Sequence, residues 1–482
     1  MARPPRGRDL TTGPIGRTLL MFALPTLGSN ILQSLNGSIN TIWVGRFLGE
    51  GAIAATSNAN IIMFLMFSAV FGFGMAATVL IGQAMGRRDV LGARRAFGSA
   101  VGLVIGGALI VAILGWIFAP GILHLLATPG DAMALAEAYL RVIFLSLPAA
   151  MLFVLLTMGL RGAGDAMTPL WFMILSVLID TGLNPLLIAG IGPFPRLGIA
   201  GSATATLIAN HVTVIGLILY IYLRDLPIRL RGAELRFVIP EGTLMRTIVL
   251  KGLPMGAQML VMSLSGLLMV GLVNRHGVDT AAAYGVSQQL WTYIQMPAMA
   301  IGAAVSSMVA QNIGASRWDR VEQITRSGLM ANFVLTGVMV AAVLLFDRPV
   351  MTLFIAGDSP AIPIARHIQL IASWNFIFFG MTMVYFSTVR ANGAVIAPLI
   401  ALIVAAYPVR VGFALFGVPL IGADALWWSF PLGSFAMLLF AWAFYHWGNW
   451  RKSSFAAPIA PAEAAEEALA GTEPAGRMQP TG

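Results

Sequence analysis

The sequence contains no cysteine, which excludes a disulfide framework and a thiolate metal site. It is also poor in charge: 10% of the 482 residues are Asp, Glu, Lys or Arg, where a soluble domain carries roughly 25%. The five histidines, His124, His211, His276, His367 and His446, are too dispersed to suggest a metal centre. No Walker lysine accompanies the glycines of Gly72-Phe73-Gly74 or of Gly102 to Gly107, so these read as small residues for close helix packing, not as phosphate loops. No nucleophile, base and orienting group stand together as a catalytic set, and no cofactor is indicated. What remains is a chain that is 58% hydrophobic. Its apolar runs are long enough to cross a bilayer, roughly 20 residues each, and recur from Leu19 to the neighbourhood of Trp442. The expected fold is an all-α membrane protein of twelve transmembrane helices.

A formal charge of +9 would suit a nucleic-acid partner if it were gathered in one patch. It is spread instead. The arginines before Ile15, those of Arg87 to Arg95, Arg161, the group from Arg224 to Lys251, Arg317 to Arg326, Arg390 and the C-terminal Arg451, Lys452 and Arg477 fall on one side of the predicted spans. Arg46, Arg141, Arg196, Arg275, Arg348 and Arg366 fall on the other, and Arg410 lies within a span. The positive-inside rule then places both termini in the cytoplasm of a bacterial inner-membrane protein, with lipid and no nucleic acid as its surroundings. Met1 to Gly16 is basic but lacks the small-residue cleavage site of a signal peptide, so the first span is expected to be retained.

The two halves repeat. Pro25 and Pro254, Arg161 and Arg390, and Pro169 and Pro398 are each 229 residues apart, and Gly86 and Gly314 are 228 apart. Six spans form one unit, and six is even. Both units therefore start on the same side, which predicts lobes related by a pseudo-two-fold axis along the membrane normal, facing each other across a central cavity. The expected divisions are a cytoplasmic N-terminus (1–16), an N-terminal lobe (17–223), a cytoplasmic linker (224–247), a C-terminal lobe (248–450) and a disordered Ala-, Pro- and Glu-rich tail (451–482). Two lobes complete a cavity by themselves, so a monomer is expected.

Of the 20 acidic residues, only Asp180 lies deep inside a predicted span. An acid at that depth costs roughly 2.5–3.5 kcal/mol on insertion scales and usually faces a bundle interior and serves function. Ser176 and Asn184 stand four residues to either side and share its helical face. In the first span Ser29, Gln33, Asn36 and Asn40 follow the i, i+4, i+7, i+11 spacing; in the sixth, Ser202, Thr206 and Asn210 recur every four. Any one stripe is equally well explained by interhelical hydrogen bonding, but three in the lobe that owns the buried acid favour a site. A carboxylate, amides and a hydroxyl suit a hard cation such as sodium, and one carboxylate is also all that proton coupling requires. Asn40, Asp180, Asn184 and Thr206 are expected to converge, with Gln33, Asn36, Ser202 and Asn210 toward a substrate cavity.

The string Ala23-Leu24-Pro25, then Gln33, then Thr41-Ile42-Trp43-Val44-Gly45-Arg46-Phe47-Leu48-Gly49, resembles the first helix of multidrug and toxic compound extrusion (MATE) transporters. Leu160-Arg161-Gly162-Ala163-Gly164-Asp165 with Thr168-Pro169, and Leu183-Asn184-Pro185-Leu186-Leu187-Ile188 followed by Gly198 to Thr206, resemble the family's fourth-to-sixth-helix region. The likeness spans roughly residues 15 to 450 and is nearest the bacterial branch with DNA-damage-inducible-F-type members. It implies export of small organic, mostly cationic or amphipathic, molecules against protons or sodium. It also implies an N-lobe cation site built from a first-helix Asp, an Asn and an Asp four apart on the fifth helix, and a Thr on the sixth. This chain departs from that pattern. Asn40 stands at the first-helix Asp position, and the fifth-helix pair reads Asp180 then Asn184, the reverse of the usual order, while Thr206 matches. Two other readings differ in what they need. A flippase of lipid-linked sugars should carry more cationic residues inside its cavity than Arg410, and an intramembrane prenyl transferase should show clustered acids for metal and pyrophosphate.

Overall fold

The chain was analysed in a computed structural model, which describes residues 9–125, 130–352, 359–453 and 455. These residues form helices, turns and loops, with no strand among them. The helices are α1 (Ile15–Leu48), α2 (Glu50–Gly86), α3 (Val90–Leu125), α4 (Gly130–Gly162), α5 (Met167–Ala189) and α6 (Ile199–Leu223). After a 3₁₀ turn at Gly232–Val238 come α7 (Gly242–Asn274), α8 (Val278–Gly314), α9 (Trp318–Leu345), the short α10 (Asp347–Met351), α11 (Ala361–Ala372) and α12 (Asn375–Arg390). The last span region holds α13 (Ile396–Val404), a π-helical segment at Ala405–Val411, α14 (Gly412–Ile421) and α15 (Asp424–Trp447). Eleven helices are long and apolar enough to cross a membrane, and α11 with α12, bent by 41°, make a twelfth. In a bilayer every backbone polar group needs a partner within the protein, so apolar runs of this length have no alternative to the helix.

The relation between lobes is written in reciprocal contacts. α2 and α8, equivalent helices of the two lobes, cross near their C-terminal ends. A Cβ on Gly86 would sit 1.9 Å from the Gln311 carbonyl, and a Cβ on Gly314 would sit 2.0 Å from the Gln83 carbonyl. The side chains are exchanged in the same way: Gln83 Nε2 donates to the Ala391 carbonyl at 2.8 Å, and Gln311 Nε2 donates to the Gly162 carbonyl at 3.2 Å. Each lobe makes to the other the contact it receives, as a two-fold relation requires. Farther along α2, a Cβ on Gly72 would collide with the Gly252 carbonyl at 2.2 Å and with Gly256, so Gly72 marks the crossing of α2 over α7, whereas a Cβ on Gly74 would meet Met158 of α4. Ser68 Oγ seals this crossing by donating to the Gly256 carbonyl at 2.8 Å.

The segments between spans are more structured than their composition suggested. Phe237 and Val238 of the 3₁₀ turn lie against Gly98 and Gly102 of α3. Arg94 pairs with Glu234 at 2.8 Å and Arg95 with Glu241 at 2.9 Å. α7 begins at Gly242, inside the stretch read as linker, because Thr243 to Lys251 continue the helix beyond the apolar run. At the N-terminal end, Leu10 is fully buried: its N–H donates to Gln311 Oε1 at 3.0 Å, and its carbonyl accepts from Asn312 Nδ2 at 3.1 Å. At the C-terminal end, Asn449–Lys452 form a 3₁₀ turn, and Trp450 and Phe455 are buried, so the start of the expected disordered tail is packed. Residues 1–8, 454 and 456–482 of the expected terminal segments lie outside the described residues.

Candidate functional site

α1, α5 and α6 bring the three polar stripes of the N-terminal lobe onto one carboxylate. Asp180 is 1% exposed and Asn184 is fully buried. Asn36 Nδ2 and Asn40 Nδ2 each donate to Asp180 Oδ2 at 2.8 Å, and Thr206 Oγ1 donates to Asp180 Oδ1 at 3.1 Å. Asn184 Nδ2 donates to Asn40 Oδ1 at 2.9 Å, which holds the Asn40 amide with its nitrogen toward the carboxylate. Hydrogen bonds to a charged group contribute about 1.5–3 kcal/mol each. Three of them offset the roughly 2.5–3.5 kcal/mol of placing an acid at this depth. Two amide oxygens of the cluster, Asn36 Oδ1 and Asn184 Oδ1, are buried with no hydrogen-bond partner. A carboxylate with unpartnered carbonyl oxygens around it is a donor set for a hard cation.

Beside this cluster lies a cavity of about 560 Å³, lined by Gln33, Asn36, Asn60, Ser176 and Asn210 among apolar side chains of Met, Phe, Val and Ala. Asn36 belongs to both places: it lines the cavity and binds the carboxylate. Reading it from the stripe alone assigned it to the cavity and missed the second contact. Ser202 is 2% exposed and is not among the cavity-lining residues; its carbonyl accepts from Thr206 Oγ1 at 3.3 Å, a bond within one helical turn. Asn210 Nδ2 donates to Ser146 Oγ of α4 at 2.9 Å. Ser146 and Asn60 went unnoticed in the sequence, and Ser146 could have been found, since it lies seven residues after Tyr139 on one face of α4.

A second cavity, of about 360 Å³, lies in the C-terminal lobe, where Gln288, Thr292 and Gln295 of α8 follow an i, i+4, i+7 stripe. That stripe was legible, but the one acid of its helix, Asp279, lies in the first turn and not beside it. No group of three or more His, Cys, Asp or Glu side chains able to hold a metal occurs among the described residues.

Comparison with known proteins shows the family and the fold. The MatE family model matches residues 25–186 and again 254–416, so the internal repeat is also a repeat of the family unit. The probable multidrug resistance protein YoeA of Bacillus subtilis is 32% identical over 440 residues, covering 91% of this chain and 95% of that protein. The FAD transporter of Shewanella oneidensis is 27% identical over 355 residues, covering 72% and 75%. Among solved structures, the outward-facing conformation of a multidrug resistance MATE family transporter of the MOP superfamily superposes with a TM-score of 0.84 at 21% identity, over 94% of this chain and 99% of that one.

Proposed function

Because the chain belongs to the MatE family, we propose that it is a secondary antiporter of the bacterial inner membrane, exporting small organic, cationic or amphipathic molecules in exchange for protons or sodium ions. The observation that carries this reading is the hydrogen-bonded Asp180 carboxylate, buried within the lobe and joined through Asn36 to a cavity of substrate size. The names of two relatives, a multidrug resistance protein and a FAD transporter, support transport of sizeable organic molecules.

The chemistry uses one group in two states. With Asp180 ionised, the amides of Asn36 and Asn40 and the Thr206 hydroxyl all point donors at it. A proton arriving at either carboxylate oxygen removes the reason for that arrangement, and a sodium ion would draw Asn36 Oδ1 and Asn184 Oδ1 inward, turning the amides. In both cases α1 must repack against α5 and α6. Asn36 transmits this to the cavity, so that cation and substrate each favour a different packing and oppose each other's binding. The positive-inside orientation makes the crossing at Gly86 and Gly314 the cytoplasmic closure. Alternating access then consists of opening that crossing while the cavities close on the far side. Both termini are cytoplasmic in this arrangement, the lobes comprise α1 to α6 and α7 to α15, and the working unit is a monomer.

The test is transport by the purified protein in proteoliposomes, with ethidium as probe and a pH gradient or a sodium gradient imposed separately. One of the two gradients should drive ethidium movement and the other should not. Movement indifferent to both would sink the antiport reading.

A further inference from the structure

The C-terminal lobe holds a charged side chain that the Asp180 site does not use. Arg410 lies on the π-helical segment Ala405–Val411, where the Gly412 N–H reaches back five residues to the Tyr407 carbonyl. Pro408 has no N–H to give, and a wide turn accommodates it. The Arg410 stem fits beside Gly433, where a Cβ would come within 3.2 Å of both Arg410 Cβ and the Ala405 carbonyl. Its guanidinium lies over the Phe430 ring at 4.1 Å and lines the 360 Å³ cavity.

What surrounds that guanidinium is unusual for a membrane-embedded charge. No Asp or Glu lines the cavity, and among the described residues the guanidinium has no hydrogen-bond acceptor or ion-pair partner. Intramembrane arginines are rarely left so, and usually pair with an acid or a carbonyl. The Phe430 ring meets one face of the planar group and leaves its five N–H donors, which lie in the plane, without acceptors. Asn375 adds a further donor, since its Oδ1 is taken by the Ser434 hydroxyl and its NH₂ is left over. Around them Tyr284, Trp291, Phe376 and Phe430 form an aromatic cluster, with the Trp291 and Phe430 rings 5.0 Å apart. The Trp291 indole is fixed by its bond to Gln369 Oε1 at 3.0 Å.

We propose that this cavity binds an organic anion, whose carboxylate, sulfonate or phosphate pairs with Arg410 and whose aromatic body lies among Trp291, Phe376 and Phe430. A guanidinium fork matches such groups in two parallel hydrogen bonds. The volume lies within the range of small-molecule sites, roughly 300–1,000 Å³. The substrate range of the transporter thereby extends to amphipathic anions, held in the lobe opposite the cation site.

Binding is measured on the purified full-length protein in detergent with no gradient, so its outcome does not depend on coupling at Asp180. The probe is tritiated 2-naphthoate, with 2-naphthalenesulfonate and 2-naphthamide as competitors. Saturable binding is expected, displaced by the sulfonate and at least tenfold less well by the amide, which keeps the rings and loses the charge. Arg410→Gln should weaken naphthoate binding at least tenfold, and Arg410→Lys should restore part of it. Absent saturable binding, equal competition by the amide, or parental affinity in Arg410→Gln each overturns the proposal. Should Arg410→Gln fail to fold, the carboxylate-against-amide comparison on the unaltered protein decides alone.

Discussion

The N-terminal and C-terminal lobes share one six-helix plan and carry opposite charges at the corresponding point. Asp180 and Arg410 stand 230 residues apart, one more than the 229 separating Pro169 from Pro398 earlier on the same helices. One added residue is what a π-helical turn absorbs. The surroundings differ to match. Asn36 donates to Asp180 across α1 and α5; Ser265, 229 residues after Asn36, donates instead to the Ala406 carbonyl of the π segment at 3.4 Å. The acid is enclosed by donors that stabilise its charge, whereas the base is left to whatever enters its cavity. A duplicated scaffold has thus placed an acid and a base at corresponding points without any change of helix order.

The sharpest way to break this contrast is to neutralise the acid. Asp180→Asn keeps the shape and removes the charge, so the protein should still fold and insert while gradient-driven ethidium export in proteoliposomes falls at least a hundredfold. Asp165→Asn, on the loop side of α5, should cost less than threefold. Wild-type export by Asp180→Asn, with unchanged ion dependence, would move the coupling site elsewhere.

A smaller effect is expected at the crossing that the lobes share equally. A Cβ on Gly86 or Gly314 meets a backbone carbonyl, which cannot swing aside as a side chain can. Gly86→Ala and Gly314→Ala should each open the α2–α8 ends and slow transport about tenfold, by similar amounts because the contacts are reciprocal. The absence of cysteine permits clean spin labelling. Labels at Arg87→Cys and Asp319→Cys, both exposed, should report a longer distance in either glycine variant, and an unchanged distance in both would refute the closure.

Thr206→Val removes one donor from Asp180 without changing volume. The lost bond, about 1.5–3 kcal/mol of stabilisation of the ionised carboxylate, should raise the affinity of Asp180 for a coupling proton at least tenfold, read as a shift in the gradient needed for half-maximal export. The smallest effect is at the linker. Arg95→Gln breaks the ion pair with Glu241, which is partly exposed at both ends. The expected loss is below about 1 kcal/mol, measured as a shift of a few degrees in the detergent melting temperature that disappears in high salt. A larger shift would mean that the linker clamps the lobes.

Much of the fold was open to inspection in the chain, because a bilayer leaves a long apolar run only one conformation and because prolines such as Pro25 and Pro254 mark equivalent places in the repeat. The polar stripes followed from helical spacing alone, so Asn40, Asp180, Asn184 and Thr206 could be grouped without coordinates. The two-fold contact of Gln83 and Gln311 with opposite-lobe carbonyls could not. Glutamine in a turn-like string has no signature of which backbone atom it will meet. The linker misled for a related reason: Phe237 and Arg94 are ordinary in sequence, and only the glycine track on α3 gives them a surface to occupy.

By itself, the sequence determined that this protein lies in a membrane, that it is a duplicated bundle, and that one acid with amide and hydroxyl company sits inside the first half. Periodicity and hydropathy act locally along the helix, and each residue's face is fixed by its position. Tertiary structure alone decided that Asn36 belongs to the carboxylate as well as to the cavity, that Ser202 faces neither, and that Arg410 meets an aromatic ring and no acid. Those outcomes depend on which helix lies opposite and at what angle, quantities set by packing across hundreds of residues of separation.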